Sequence, residues 1–173
     1  MITNRLTKLL RRSIHQEVRH AIVYIDGSCI NNGQQNARAG IGIYWGPDDE
    51  RNLSIPLKGS QTSSRAELNA ALWAIRQAKE QNFSSLTLRT DSEYLVNSTT
   101  KWIDKWKENG WKAQNGLGIK NKDVIFALIK ALKTISVTFE KIPGHSGDAG
   151  NDGAHKLAKQ AATLAYQECK LPV

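Results

Sequence analysis

Two stretches of this chain put an aspartate in the same local setting. Ala21-Ile22-Val23-Tyr24-Ile25 is an apolar, β-branched and aromatic run that reads as a buried strand. It stops at Asp26, and Gly27 then lets the chain turn. Ser85-Leu86-Thr87-Leu88-Arg89-Thr90 reads as a second strand, closing on Asp91 and the small Ser92. A charge at the tip of a central strand is costly unless something pairs with it. In open α/β sheets those tips are also where ligands collect. Two such strands side by side bring Asp26 and Asp91 to one sheet edge. Glu67 is a third candidate. With Ser64 it fits a capping box, which would only close a helix N-terminus. It also stands next to Leu68 at the edge of a core face, where a carboxylate points along the sheet edge. Beside Asp26 and Asp91 the second reading is preferred. Three converging carboxylates stay ionised together only around a cation. Oxygen-rich sets suit Mg²⁺ or Mn²⁺, with substrate phosphate completing the shell. In a basic protein that points to phosphodiester hydrolysis with two metal ions.

The elements that must hold these groups follow from patterning. Ala39–Gly46 and Arg51–Leu57 read as strands joined by the turn Gly46-Pro47-Asp48-Asp49, so the first three strands form an antiparallel meander. Leu68, Ala71, Leu72, Ile75 and Ala78 repeat at helical spacing behind the N-cap candidates Thr62, Ser63 and Ser64. After the strand at 85–90 come a short helical stretch from Ser92, a helix over Asn121–Lys133, a strand over Ile135–Ile142 and a last helix over Ala149–Gln167. The core face of that last helix is expected at Ala154, Leu157, Ala158, Ala161 and Ala165. The order implies an α/β fold whose mixed five-stranded sheet, three antiparallel strands then two parallel, carries helices on both faces. No internal repeat or second domain is visible: residues 1–20 read as a basic extension, 21–168 as the folded domain and 169–173 as a tail.

Composition narrows the partners. A chain of 173 residues with 40% hydrophobic content can bury a substantial core. No apolar run approaches a membrane span, so no membrane partner is expected. The net charge of +8 favours a polyanion such as nucleic acid; the alternative is a basic surface that binds nothing. Cys29 and Cys169 make no disulfide framework and no secretory signal is recognisable, so a reducing, intracellular compartment is expected. Within residues 1–20, Arg5, Lys8, Arg11, Arg12 and Arg19 face only Glu17. The segment reads equally as a mitochondrial transit peptide, a solvated helix or a phosphate-touching arm, which leaves nucleus, cytoplasm and mitochondrion open. A second constellation is Lys101-Trp102-Ile103-Asp104-Lys105-Trp106, continuing to Trp111-Lys112. Trp102 and Trp106 stand at i, i+4 among Lys101, Lys105 and Lys112. They are either a core-packing stripe or rings and ammonium groups that meet a nucleic-acid strand.

Four segments, Tyr24-Ile25-Asp26-Gly27-Ser28, Ser64-Arg65-Ala66-Glu67-Leu68, Arg89-Thr90-Asp91-Ser92 and Pro143-Gly144-His145-Ser146-Gly147, resemble in order and separation the motifs of type 1 ribonuclease H. The resemblance covers about 21–167. It implies the ribonuclease H-like fold and a monomeric endonuclease that cuts the RNA strand of an RNA–DNA hybrid with two Mg²⁺ ions, Mn²⁺ substituting, leaving 5′-phosphate and 3′-hydroxyl ends. Asp26, Glu67 and Asp91 match the family's metal-binding carboxylates. The resemblance places Asp26 and Asp91, with His155 nearby, around the ion that activates water. It places Asp26 and Glu67 around the ion that stabilises the leaving 3′ oxygen. His145 matches a histidine assigned to proton transfer or product release.

The chain departs from the family pattern in the last helix. Gly150-Asn151-Asp152-Gly153-Ala154-His155 stands where the pattern is Gly-Asn-x-x-Ala-Asp, so His155 takes the place of the fourth carboxylate. Asp152, one turn earlier, is the alternative ligand, or else a helix N-terminal acid complementing the dipole. An imidazole can coordinate a metal, although Mg²⁺ prefers oxygen. The Trp-rich stretch resembles the basic protrusion that grips the DNA strand. Thr62 and Asn121 match a phosphate pocket on that strand, weakened here because Ser60 stands where the family has Arg. Asn32, the Gly27-Ser28-Cys29 backbone and Ser63 match minor-groove contacts that select RNA through its 2′-hydroxyls. Residues 1–20 are too short for the separate hybrid-binding domain of many eukaryotic relatives, so low processivity is expected unless the basic arm substitutes. Two rivals remain: a ribonuclease H of retroelement origin, and a catalytically impaired hybrid-binding module, which His155 alone favours.

Overall fold

The computed structural model describes residues 18–113, 115–144 and 146–169. Strands β1 (His20–Ile30), β2 (Arg38–Tyr44) and β3 (Leu53–Pro56) form an antiparallel meander. Strands β4 (Ser85–Thr90) and β5 (Ser136–Lys141) add in parallel on the other side of β1, giving the order β3-β2-β1-β4-β5. The helices are α1 (Ser63–Glu80), α2 (Glu93–Asn97), α3 (Ile103–Glu108), α4 (Lys122–Leu132) and α5 (Ala149–Glu168). One π-helical turn, Ser98–Trp102, joins α2 to α3.

The two faces of the sheet are covered differently. On one, Val23 and Ile25 are buried and Gly27 meets the start of α1. A side chain at Gly27 would put its Cβ 2.4 Å from the Glu67 amide nitrogen, so only glycine admits this approach. Leu68, Ala71, Leu72, Ile75 and Ala78 are all buried, as the helical periodicity requires. On the other face α5 lies against β2. Gly42 leaves room for the Ala154 carbonyl, to which an added Cβ would stand at 2.1 Å. Apart from Asn151, the buried stripe of α5 is therefore glycine and alanine: Gly150, Ala154, Ala158, Ala161 and Ala162. Leu157 and Ala165, expected in that core face, are only half-buried: the close helix-to-strand approach favours side chains smaller than Leu157, and Ala165 lies in the last turn of the helix.

Strand β1 differs from expectation at its functional end. It does not stop at Asp26 but runs on to Ile30, with Asp26 opposite Gly42 and Ser28 opposite Gly40. Gly27 supplies the missing Cβ rather than a turn. What stops there is the parallel pairing, whose last register is Tyr24 with Arg89. β4 ends at Thr90 while β2 still pairs with β1 as far as Ile30, so Asp26 lies beyond the parallel pairing but within the antiparallel one.

Candidate active site

That register decides the meeting of the first two carboxylates. Asp26 lies two residues beyond Tyr24 and Asp91 two beyond Arg89, so both reach the same level at the sheet edge. Thr62, not Ser64, caps α1: its hydroxyl accepts the Arg65 amide at 3.2 Å. Glu67 therefore sits beyond the capping position, and the capping-box reading falls. The side chain is instead 8% exposed against Asp26, itself 6% exposed. Ligand oxygens of Asp26, Glu67 and Asp91 all lie within 4.8 Å of one another.

The electrostatics are those of an unneutralised cluster. Burial, then the Asp26 carboxylate, then Asp91, push the Glu67 carboxyl well above the usual range; a hydrogen bond from the Gly27 amide opposes them and loses. One Glu67 oxygen, Oε2, is buried with no hydrogen-bond partner. An orphaned buried oxygen among repelling oxygens fits a hard divalent cation, which would meet the lone pair and screen the charges.

The first turn of α5 completes the rim. Asp148 caps the helix, accepting from the Gly150 and Asn151 amides at 2.9 and 3.0 Å. His155 Nδ1 is 2.9 Å from Asp26 Oδ2, and its side chain is 48% exposed. Asp152 is exposed on the helix and stands outside the carboxylate set. Asn151, to which the sequence reading assigned no role, donates from Nδ2 to Asp91 Oδ2 at 3.3 Å and is 4% exposed. Its place in the Gly-Asn-x-x-Ala segment was the available signal. His145 lies outside the described residues; the loop that carries it passes Asp91, since a Cβ on Gly144 would stand 3.1 Å from Asp91 Oδ2.

The expected substrate residues fall in two places. Asn32 and Ser63 meet: Asn32 Nδ2 donates to Ser63 Oγ at 3.2 Å, and the Ser63 amide donates to Asn32 Oδ1 at 3.3 Å. Thr62 precedes α1 and Asn121 precedes α4, in a left-handed conformation (φ 59°) that asparagine tolerates. Arg65 donates to Asp123 at 2.9 Å and so ties the two helix N-termini together. Farther along, Trp102 and Trp106 contact each other with centroids 5.7 Å apart, and Tyr94 meets Trp102 edge-on at 5.9 Å. With Lys105, Lys112 and Lys120 they line a groove of about 720 Å³. Lys120 was not anticipated and Lys101 is not in the lining. Trp111 packs edge-on against Phe126 at 4.3 Å and stands outside the groove lining.

The comparisons agree with this geometry. The RNase H family profile matches residues 18–163. Ribonuclease H1 of Mus musculus is 47% identical over 82% of this chain and 50% of its own length. Ribonuclease H of Mannheimia succiniciproducens is 36% identical over 81% of this chain and 85% of its own. The foamy viral protease-reverse transcriptase in complex with an RNA/DNA hybrid superimposes with a TM-score of 0.68 at 25% identity, covering 85% of this chain and 20% of that one. The chain spans about half the length of the mammalian relatives it matches. Profile, identity and coverage together show that the chain belongs to the RNase H family.

Proposed function

We propose that this chain is an endonuclease that hydrolyses the RNA strand of RNA–DNA hybrids with two divalent ions, leaving 5′-phosphate and 3′-hydroxyl ends. The observation that carries the reading is the cluster of Asp26, Glu67 and Asp91 at the sheet edge of a basic chain. The relatives named Ribonuclease H, and the neighbour solved with an RNA/DNA hybrid, support the same substrate class. Asp26, Glu67 and Asp91 would hold the metal, Mg²⁺ or in its place Mn²⁺, with His155 at the fourth position. Bound there, the ions supply Lewis acidity to the phosphodiester and a nucleophile at neutral pH. Asn151 orients Asp91 through its amide, and His155 orients Asp26 through Nδ1. His145 serves turnover from the adjoining loop. Asn32 and Ser63 sit where they can meet the RNA strand. Thr62 and Asn121 meet a DNA phosphate, and Trp102, Lys105 and Trp106 receive the DNA strand in the groove, acting in a monomer.

A second reading, a hybrid-binding module with impaired catalysis, draws on one observation: an imidazole, His155, rather than a carboxylate, occupies the rim position and engages Asp26. One experiment separates the two. A labelled hybrid is incubated with the protein in Mg²⁺ and in Mn²⁺, with Asp91→Asn as control. Cleavage confined to the RNA strand and lost in Asp91→Asn supports the enzyme. Tight binding without cleavage in either metal supports the module.

A further inference from the structure

The start of α5 rests on two tyrosine rings. Tyr24 of β1 stands opposite Tyr44 of β2. A Cβ added at Gly150 would lie 2.2 Å from Tyr24 Cε2, and one at Gly153 2.7 Å from Tyr44 Cδ2. Glycine at both places lets the helix backbone lie directly on the rings. The position of the Tyr24 ring therefore sets the position of Gly150. Its neighbour Asn151 holds Asp91, and His155, farther along the same helix, meets Asp26. Tyr24 is in turn held from the other side. Strand register aligns Tyr24, Arg89 and Glu140 in one row across β1, β4 and β5. Arg89 Nη1 donates to Tyr24 Oη at 2.9 Å, and Arg89 Nε donates to Glu140 Oε2 at 2.9 Å. The Arg89 guanidinium carbon stands 5.5 Å from the Tyr24 ring centroid. The row lies two residues before Asp26 on β1 and two before Asp91 on β4. Because α5 lies on β1, β2 and β3, Arg89 and Glu140 reach the tyrosine from strands beside the helix.

We propose that Tyr24 and Arg89 are positioning residues for the carboxylate site: the row Tyr24–Arg89–Glu140 braces the ring on which α5 rests, and so holds Asn151 and His155 against Asp91 and Asp26. The proposal rests on the reading of Asp26, Glu67 and Asp91 as metal ligands. The guanidinium suits the task because its planar fork fixes two partners at set directions. Groups that orient metal ligands govern affinity by about ten- to a hundredfold. The brace acts one contact farther out, so about three- to tenfold is expected of it. Two plainer roles predict other outcomes. The Arg89 and Glu140 side chains are 29% and 46% exposed, and an ion pair this wet adds little to stability. A purely stabilising pair would shift the melting temperature and leave metal affinity alone. A bare positive charge beside the carboxylates would oppose a cation, so its removal would tighten Mg²⁺ binding. Loss of a brace loosens it.

The test titrates Mg²⁺ into the full chain, read by calorimetry and by the rise in Tm, and separately into cleavage of a labelled hybrid. The proteins are the parent, Tyr24→Phe, Arg89→Ala and the double variant. Tyr24→Phe keeps the ring against Gly150 and changes no charge. The Mg²⁺ midpoint should rise about three- to tenfold in each single variant by both kinds of readout. The double variant should be no worse than Arg89→Ala, because the two residues act as one unit. KM for the hybrid should stay within about twofold, since neither side chain is asked to touch it. Unchanged midpoints in variants whose circular dichroism matches the parent overturn the proposal. So does a lower midpoint in Arg89→Ala, or a double variant in which the two effects add. Should Arg89→Ala fail to fold, Glu140→Gln at the exposed end of the row takes its place: a midpoint shifted upward supports the brace, and no shift overturns it. A parent that neither binds Mg²⁺ nor cleaves removes the metal-site reading and the brace with it. Mg²⁺ binding by the parent with unmoved variants removes the brace alone.

Discussion

Glu67→Gln, in metal-free protein, tests the electrostatic reading of the site. Carboxylate oxygens no more than 4.8 Å apart repel by at least about 3 kcal/mol at an effective dielectric near 20. Glu67 faces two such neighbours, and burial adds to the cost of its charge. Without metal, both effects favour the protonated carboxyl. From an ordinary value of 4.5, protonation at pH 7 costs about 3 kcal/mol, which caps the penalty. The sign follows. A carboxyl raised in the folded state contributes stability below its unfolded value, and that stability is lost as pH rises toward the folded value. Glutamine mimics the protonated form and can still accept from the Gly27 amide. The variant should therefore be more stable than the parent at pH 7 by up to about 3 kcal/mol, or about 6–12 °C in Tm for a domain of this size. The gain should vanish near pH 4. Mg²⁺ should raise the Tm of the parent by mass action and that of the variant much less. Differential scanning fluorimetry in EDTA and in Mg²⁺, at pH 4 and pH 7, reads all of this. A variant that melts lower than the parent at pH 7 without metal would refute the reasoning and return Glu67 to a structural role. Cleavage should fall at least about a hundredfold in either case.

Three further outcomes are expected. His155→Ala should reduce turnover more than Asp152→Ala, and His155→Asp should raise the Mg²⁺ rate relative to Mn²⁺; single-turnover kinetics in each metal would show the reverse order if Asp152 completes the site. Gly42→Ala should destabilise by about 3 kcal/mol or more, because its Cβ would meet the Ala154 carbonyl at 2.1 Å and push α5, with His155, off the sheet; urea denaturation measures it. Asp123, held down to about 2 by the Arg65 guanidinium, contributes stability above pH 4 that is lost as pH falls toward 2. Its side chain is 65% exposed, so solvent screening limits Asp123→Asn to under about 1 kcal/mol at pH 7, with a flatter acid limb in pH-dependent melts.

Much of the architecture was legible because its causes are local. Strand β4 runs over the residues its pattern marks, 85–90, and the buried face of α1 is the one its 3.6-residue period predicts. The aspartates were found because each follows an apolar strand, and motif spacing identified the family before any coordinate. The sequence by itself also determined the departure at His155, since residue identity in a motif needs no geometry. Local pattern misassigned what depends on a distant neighbour. Gly27 looked like a turn and is a contact surface for α1, because what abuts a missing Cβ lies some forty residues away. Thr62, Ser63 and Ser64 were equal candidates for the cap, and Thr62 holds that place by its extended backbone. Asn151 gained a role only when α5 crossed the sheet to reach Asp91. Only the tertiary structure decided that Asp26 and Asp91 stand level, that Glu67 is buried against them, and that His155 rather than Asp152 meets Asp26. The reason is that convergence is set by strand register and helix placement. Those are fixed by packing between residues far apart in the chain, which no local pattern records.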